Sequence, residues 1–213
     1  RRVALRQIHF PKDSAEAEKS RTRFAFEEFF LLQCALLLRR FFTHDKVNGI
    51  SFSITEADRL SFIDSLPFQL TGDQHKVLLE IEKDMVSSRP MNRLLQGDVG
   101  SGKTILAVYA AYCAVRSGYQ AAIMAPTEIL VEQHRRNFER FLSPHDIPVF
   151  SVTRETQGKK SILTQLASDR PVVAIGTHAL IQEKVVFGKL GLVVIDEQHR
   201  FGVIERSKLE QKG

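Results

Sequence analysis

Residues Gly97 to Thr104 read "GDVGSGKT", with glycines at 97, 100 and 102 ahead of Lys103 and Thr104. The spacing G-x-x-x-x-G-K-T suits one chemistry above others, the holding of a di- or triphosphate. Glycines let backbone N–H groups turn inward around an anion, and a helix that starts there adds unpaired N–H groups and partial positive charge. In such a loop Gly97, Gly100, Ser101 and Gly102 face the phosphates, Lys103 reaches the β- and γ-phosphates, and the Thr104 hydroxyl ligates Mg²⁺. Far along the chain, "LVVIDEQH" runs from Leu192–Ile195 into Asp196 and Glu197. A carboxylate at the end of a buried strand is what a phosphate loop requires as its second half. Asp196 would hold Mg²⁺ through water, and Glu197 would orient or deprotonate the attacking water. Glu197, Lys103 and Asp196 are thus the candidate catalytic residues of an ATPase whose cofactors are ATP and Mg²⁺. The competing reading of the loop is a glycine-rich turn without a ligand; its flanking elements argue against that.

Those elements are a strand before the loop and a helix after it. "RLLQ" has the character of a short strand, and "TILAVYAAYCAVRS" is an apolar helix closed by Gly118. Further on, "AAIMAP", "PVFSVT", "PVVAIGT" and "LGLVVIDE" are strands alternating with the helices "EILVEQHRRNFERFL" and "GKKSILTQLASD". Such alternation implies an α/β domain with a parallel sheet flanked by helices. The strands lack polar alternation, as expected for burial on both faces. Ahead of the loop, "DQHKVLLEIEKDMVSS" is an amphipathic helix. "TEADRLSFIDSL" starts a short helix with Thr55 as its cap. "THDKVNGISFS" is a linker with a turn at Asn48-Gly49. Residues from about Ser20 to Phe42 form a strong helix candidate with apolar side chains on more than one face, so it must pack against something. Residues 1–19 are mixed, with a turn at "FPKDS". Core or inter-domain packing explains the phenylalanines of that long helix better than a base-stacking surface, because cations flank the aromatics and do not interleave with them.

The 213 residues are 43% hydrophobic, enough for one domain with a real core and a smaller second element. A net charge of +5 is compatible with nucleic acid without requiring it. Cys34 and Cys113 are far apart among apolar neighbours, so core thiols in a reducing compartment are expected, with no metal site. The apolar run near Phe29–Leu38 is broken by Gln33 and falls short of the roughly 18–20 residues a bilayer span needs, so no membrane role is expected. The chain opens on Arg1 and stops at Gly213 in a charged stretch, and it reads as an excerpt from something longer.

"GDVGSGKT", "APTEIL", "GTHAL" and "DEQH" follow the order of motifs I, Ia, Ib and II of superfamily 2 helicases, and "LTGDQ" resembles their glutamine motif. The closer resemblance is to the RecG family of DNA branch-migration helicases. It is carried by "MNRLLQGDVGSGKT", "MAPTEILVEQH", "GTHALIQ", "VVIDEQHRFGV" and, upstream, "ALRQIHFP" and "RFAFEEFFLLQCALLLRR". It covers nearly the whole chain. The coupling factor Mfd shares "GDVG-GKT" and "HRFGV", but Gln96 and Gln198 favour RecG. One departure lies at "VTRETQGKK": RecG proteins usually carry Thr-Gly-Ser, whereas here Thr153 is followed by Arg154 and Glu155, which puts a DNA contact by that loop in doubt.

The resemblance implies a RecA-like P-loop fold and three regions: the tail of a wedge-like domain (1–19), a helical linker (20–66) and a first motor lobe incomplete at its C-terminus (67–213). It implies that Gln74 reads adenine, with Phe68 either stacking on the base or packing in the core. It places DNA backbone contacts at Pro126, Thr127, Glu128, Thr177 and His178, although Thr127 and Thr177 are equally suited to capping helices. Gln198, His199 and Arg200, with Phe201, would couple DNA to ATP. The implied activity is ATP-driven remodelling of forks, four-way junctions and duplex DNA in repair and recombination, in the bacterial cytoplasm at the nucleoid, with other replication or repair proteins as further partners. An Mfd-like duplex translocase and a non-motor nucleotide-binding module remain as alternatives. A further strand beyond Gly213 is implied between the loop strand and "LVVIDE", so the sheet here is expected to have a gap or a substitute.

Overall fold

A computed structural model describes residues 1–41, 49–156, 158–202, Leu209 and Lys212. The chain divides into two compact units, Arg1–Asn48 and Gly49–Gly213. Most of the expected linker turn (42–48), Gln157 in the departing loop, and Val203 of "HRFGV" lie outside the described residues, as does the side chain of His199.

The first unit holds α1 (Arg2–His9) and α2 (Ser14–Arg40). α2 begins earlier than the apolar pattern suggests because Asp13 caps it, accepting the Glu16 N–H at 2.7 Å. Glu16 in turn accepts from the Lys12 N–H at 2.7 Å and from Gln7 Nε2 at 2.5 Å, closing the α1–α2 turn with polar bonds. α1 is not legible in the sequence: its eight residues make little more than two turns, too few for the helical period to stand out from a mixed segment. Within this unit Phe26, Phe29, Leu36 and Leu37 of α2 remain exposed, and Cys34 is half-buried rather than a core thiol.

The second unit is a four-stranded, fully parallel sheet in the order β2-β3-β1-β4. Its strands are β1 (Gln120–Met124), β2 (Val149–Val152), β3 (Val173–Gly176) and β4 (Leu190–Ile195). The central pair, β1 and β3, is buried at every position, which explains the absence of alternation in their sequences. The helices are α3 (Glu56–Asp64), α4 (Gly72–Val86), α5 (Lys103–Arg116), α6 (Glu128–Leu142) and α7 (Lys159–Leu166). Thr55 and Asp58 form a reciprocal capping box at the start of α3. α5 is almost wholly buried and is the core's axis: fully buried Phe62 of α3 lies 5.1 Å, ring to ring, from both Tyr109 and Tyr112. A second apolar cluster, with Leu166, Leu180 and Phe201, includes Met124 and Ala174 of the central strands.

The expected strand at Arg93–Gln96 does not form. Among the described residues β4 pairs only with β1, so no strand extends the sheet toward the glycine loop. Two leucines between polar neighbours cannot hold an extended segment without a partner ladder. Leu94 is exposed and Leu95 only leans on the core.

Candidate active site

The site gathers at the carboxyl ends of the parallel strands, where open α/β sheets place their ligands. Beyond the strand ends the ladder continues for one residue: Asp196 N–H donates to the Met124 carbonyl at 2.9 Å, and Ala125 N–H to Gly176 at 2.9 Å. These bonds fix where the chain leaves the sheet, and so where Asp196 and the segment from Pro126 stand.

The glycine loop leads into α5. Gly100 and Gly102 both have φ of +83°, and Gly102 is the residue that caps α5. The left-handed backbone favours glycine there, and a Cβ on Gly102 would strike the Gln74 side chain. Lys103 Nζ lies over the loop and donates to the carbonyls of Gly97 and Asp98, each at 2.7 Å. Gln74 is tied to the same loop. Its Oε1 accepts the Thr71 N–H at 2.9 Å in a capping box for α4, and its Nε2 donates to the Ser101 carbonyl at 2.9 Å. One lone pair and one N–H of the amide remain for another partner. A cavity of about 330 Å³ opens beside the loop, lined among others by Phe68, Gln74, Gly102, Thr104 and Phe141. Phe68 is 45% exposed and meets Phe141 edge-on at 5.9 Å, so it is a cavity wall and not a core residue.

Asp196 has both carboxylate oxygens engaged. Oδ1 accepts the Glu197 N–H at 3.0 Å, and Oδ2 lies 2.8 Å from His134 Nε2 on α6. The His134 hydrogen bond holds the Asp196 carboxyl below its ordinary range, helped by the Glu197 amide and the nearby Lys103 charge and opposed by burial. The carboxylate is therefore ionised at neutral pH and can only accept, which places a proton on His134 Nε2. Glu197 follows at φ 51° and ψ 50°, a left-handed conformation that costs an ordinary residue on the order of 1 kcal/mol. It turns the chain out of β4 into a short 3₁₀ turn, Gln198–Arg200, closed by Arg200 N–H to the Glu197 carbonyl at 2.8 Å.

All five residues expected to meet DNA line one other cleft. Pro126, Thr127, Glu128, Thr177 and His178 share a cavity of about 300 Å³ with Arg154, Ala179 and Gln182. Both threonines also cap: Thr127 Oγ1 accepts the Leu130 N–H at 3.3 Å, and Thr177 Oγ1 the Ala179 N–H at 3.4 Å. The departing loop is built in. Arg154 N–H donates to Glu128 at 3.3 Å, and Lys159 Nζ donates to the Thr153 carbonyl at 2.6 Å. The His178 ring lies 5.1 Å from that of buried Phe201, just after the turn that follows Glu197.

The residue that motif spacing missed is His134. The available signal was a histidine in register with Val131 and Phe138 on the buried face of an amphipathic helix. Its partner is 62 positions away, so local spacing could not assign it.

The sequence profile of the DEAD/DEAH box helicases matches residues 71–212. The ATP-dependent DNA helicase RecG of Bacillus subtilis (strain 168) is 46% identical over 212 residues, which are 99% of this chain and 31% of that protein. That of Thermotoga maritima is 47% identical over 208 residues, 97% of this chain and 26% of that protein. A structure of RecG bound to a three-way DNA junction superposes with a TM-score of 0.84 at 46% identity, over 93% of this chain and 27% of the other. At 20% identity, a hypothetical ATP-dependent RNA helicase from Sulfolobus tokodaii shares the fold, with a TM-score of 0.54 over 74% of this chain and 47% of that one. The chain spans 31% and 26% of the two curated relatives, so similarity to them covers only part of each.

Proposed function

Because the chain belongs to the DEAD/DEAH box helicase family, we propose that it is the nucleotide-binding part of a RecG-type, ATP-dependent DNA helicase that remodels branched DNA. One observation carries this most: an ionised strand-end carboxylate, Asp196, within electrostatic reach of Lys103 in a glycine loop that opens a helix.

The residues fit a nucleotide carrying a hard cation. Among the described residues no cluster of three or more His, Cys, Asp or Glu side chains could hold a metal on its own. The protein offers the Thr104 hydroxyl and the Asp196 carboxylate, and Mg²⁺ is a cation that takes one or two protein ligands and completes its shell with phosphate oxygens and water. Bound there, Mg²⁺ would neutralise charge developing on the phosphates. Lys103 would exchange its loop carbonyls for phosphate oxygens. Glu197 would hold the attacking water and take its proton, and Gln74 and Phe68 would face the base. The loop glycines and Ser101 would supply N–H groups to the phosphates.

DNA is the proposed second ligand, in the cleft of Pro126, Thr127, Thr177 and His178. Helix-start N–H groups and hydroxyls there suit backbone phosphates, which position a duplex without reading its sequence. The contact of His178 with Phe201 supports a role for Gln198–Arg200 in linking the two ligands. Residues 20–66 are proposed as a linker between a wedge-like domain and the motor lobe, with residues 1–19 as that domain's tail; α2 runs unbroken across residues 19 and 20, and the last part of the linker, with α3, packs within the second unit. Forks and four-way junctions are the proposed substrates, and the bacterial cytoplasm, at the nucleoid, is the proposed location. Among the described residues no helix is long and apolar enough to cross a membrane.

In the full-length protein, Glu197→Gln is expected to leave ATP and Mg²⁺ binding intact and to lower hydrolysis by roughly 10²-fold or more, since the amide keeps the shape but cannot accept the proton. Equal losses of binding and hydrolysis would make Glu197 structural.

A further inference from the structure

His134 is a half-buried imidazole with a single polar partner among the described residues. Its side chain is 14% exposed, its Nε2 lies 2.8 Å from Asp196 Oδ2, and its Nδ1 is buried without a hydrogen bond. The ring is held from the side by Phe138, edge-on with 6.4 Å between centroids. A residue needed only for packing at this place would be cheaper as leucine, because a buried nitrogen without a partner costs free energy. The polar group is therefore tolerated for what Nε2 does.

What it does is restrict a carboxylate. The Asp196 side chain is 38% exposed at a strand end, where a free rotamer would sweep through solvent. The Glu197 N–H fixes one oxygen at 3.0 Å and His134 fixes the other. With both oxygens anchored, the outer lone pairs keep one direction. Partners of metal-ligating carboxylates act in this manner, orienting the ligand before the cation arrives. From these contacts we infer that His134 is the positioning residue of the Asp196 carboxylate, setting the orientation in which it meets a divalent cation.

The inference rests on the proposed metal role of Asp196. Its test uses the full-length protein with a non-hydrolysable ATP analogue and Mn²⁺, whose binding is read by electron paramagnetic resonance without any turnover. His134→Leu keeps the volume and removes the donor. His134→Asn is a second, more polar variant whose amide does not reach Oδ2. His134→Gln restores a donor where Nε2 stood. The Leu and Asn variants are expected to bind Mn²⁺ about 10- to 100-fold more weakly, with metal-free nucleotide affinity unchanged and most of the loss recovered by Gln. Asp196→Asn is the reference. If it loses Mn²⁺ affinity while the Leu and Asn variants at 134 do not, His134 only packs and the inference falls. If Asp196→Asn also binds Mn²⁺ as well as the unmodified protein, the metal role of Asp196 falls, and the role of His134 with it. A loss in the Leu, Asn and Gln variants alike would likewise contradict a role through the Nε2 donor.

Discussion

Gln74 joins two tasks in one amide: it closes the capping box of α4 and it braces the Ser101 carbonyl of the glycine loop. The Gln74→Ala substitution is therefore expected to do more than loosen base selection. Loss of the reciprocal cap costs about 1 kcal/mol of helix stability. Nucleotide competition should still show a lower preference for ATP over GTP than in the unmodified protein, because Gln74 faces the cavity beside the loop. An unchanged ATP-to-GTP ratio would leave the bracing and remove the base-reading role. Cys113 is a different case: burial pushes its thiol up to about 12, so the reactive thiolate is scarce at neutral pH. Iodoacetamide followed by mass spectrometry should leave Cys113 unmodified in the native protein and alkylate it on unfolding. Alkylation of native Cys113 as fast as an exposed thiol would contradict the packing described. The glycine loop and Asp196–Glu197 stand out as candidates in the sequence because the proposed chemistry depends on local spacing. His134 does not, because its meaning depends on a carboxylate brought to it by the sheet.

The elements that carry the site follow from simple signals. Caps at Thr55, Thr71 and Thr127 start α3, α4 and α6 where the sequence places them, and Gly118 closes α5 in the left-handed region. The segment at Arg93–Gln96 has the character of a strand but forms none, because a strand needs a neighbour, which a two-leucine run does not report. α1 escapes the sequence pattern because eight residues show too little of the helical period to be read. α3 shows how a short helix gains its stability from packing. Phe62 is fully buried between Tyr109, Tyr112 and His145. Phe62→Ala is expected to cost about 3–5 kcal/mol in denaturant unfolding of the second unit, since α5 cannot collapse into the space. A loss below about 1 kcal/mol would mean that α3 is not part of the core that supports the glycine loop.

At the scale of the molecule, the strand order β2-β3-β1-β4 does what no single motif can. It sends the ends of β1, β2 and β3 toward the cleft of Thr127, Arg154 and Thr177, and the end of β4 toward Lys103. The parallel α/β class was legible from alternating apolar strands and helices. The sorting of the candidate residues into the proposed nucleotide site and a separate cleft is not legible in the sequence, because it requires the register between distant strands. α6 begins in the cleft at Thr127 and reaches Asp196 through His134, so the two sites share one helix. The proposed grip of the glycine loop on the phosphates of ATP runs through Lys103. It is tested most directly by equilibrium binding of a fluorescent ATP analogue with Mg²⁺ to the full-length protein and to Lys103→Ala. Loss of a charge-assisted contact worth about 1.5–3 kcal/mol predicts binding weaker by about 10- to 100-fold. The unfolding temperature should scarcely move, because among the described residues the lysine donates to the Gly97 and Asp98 carbonyls of its own loop. Equal affinity in the two proteins, with unchanged turnover at saturating ATP, would contradict the account.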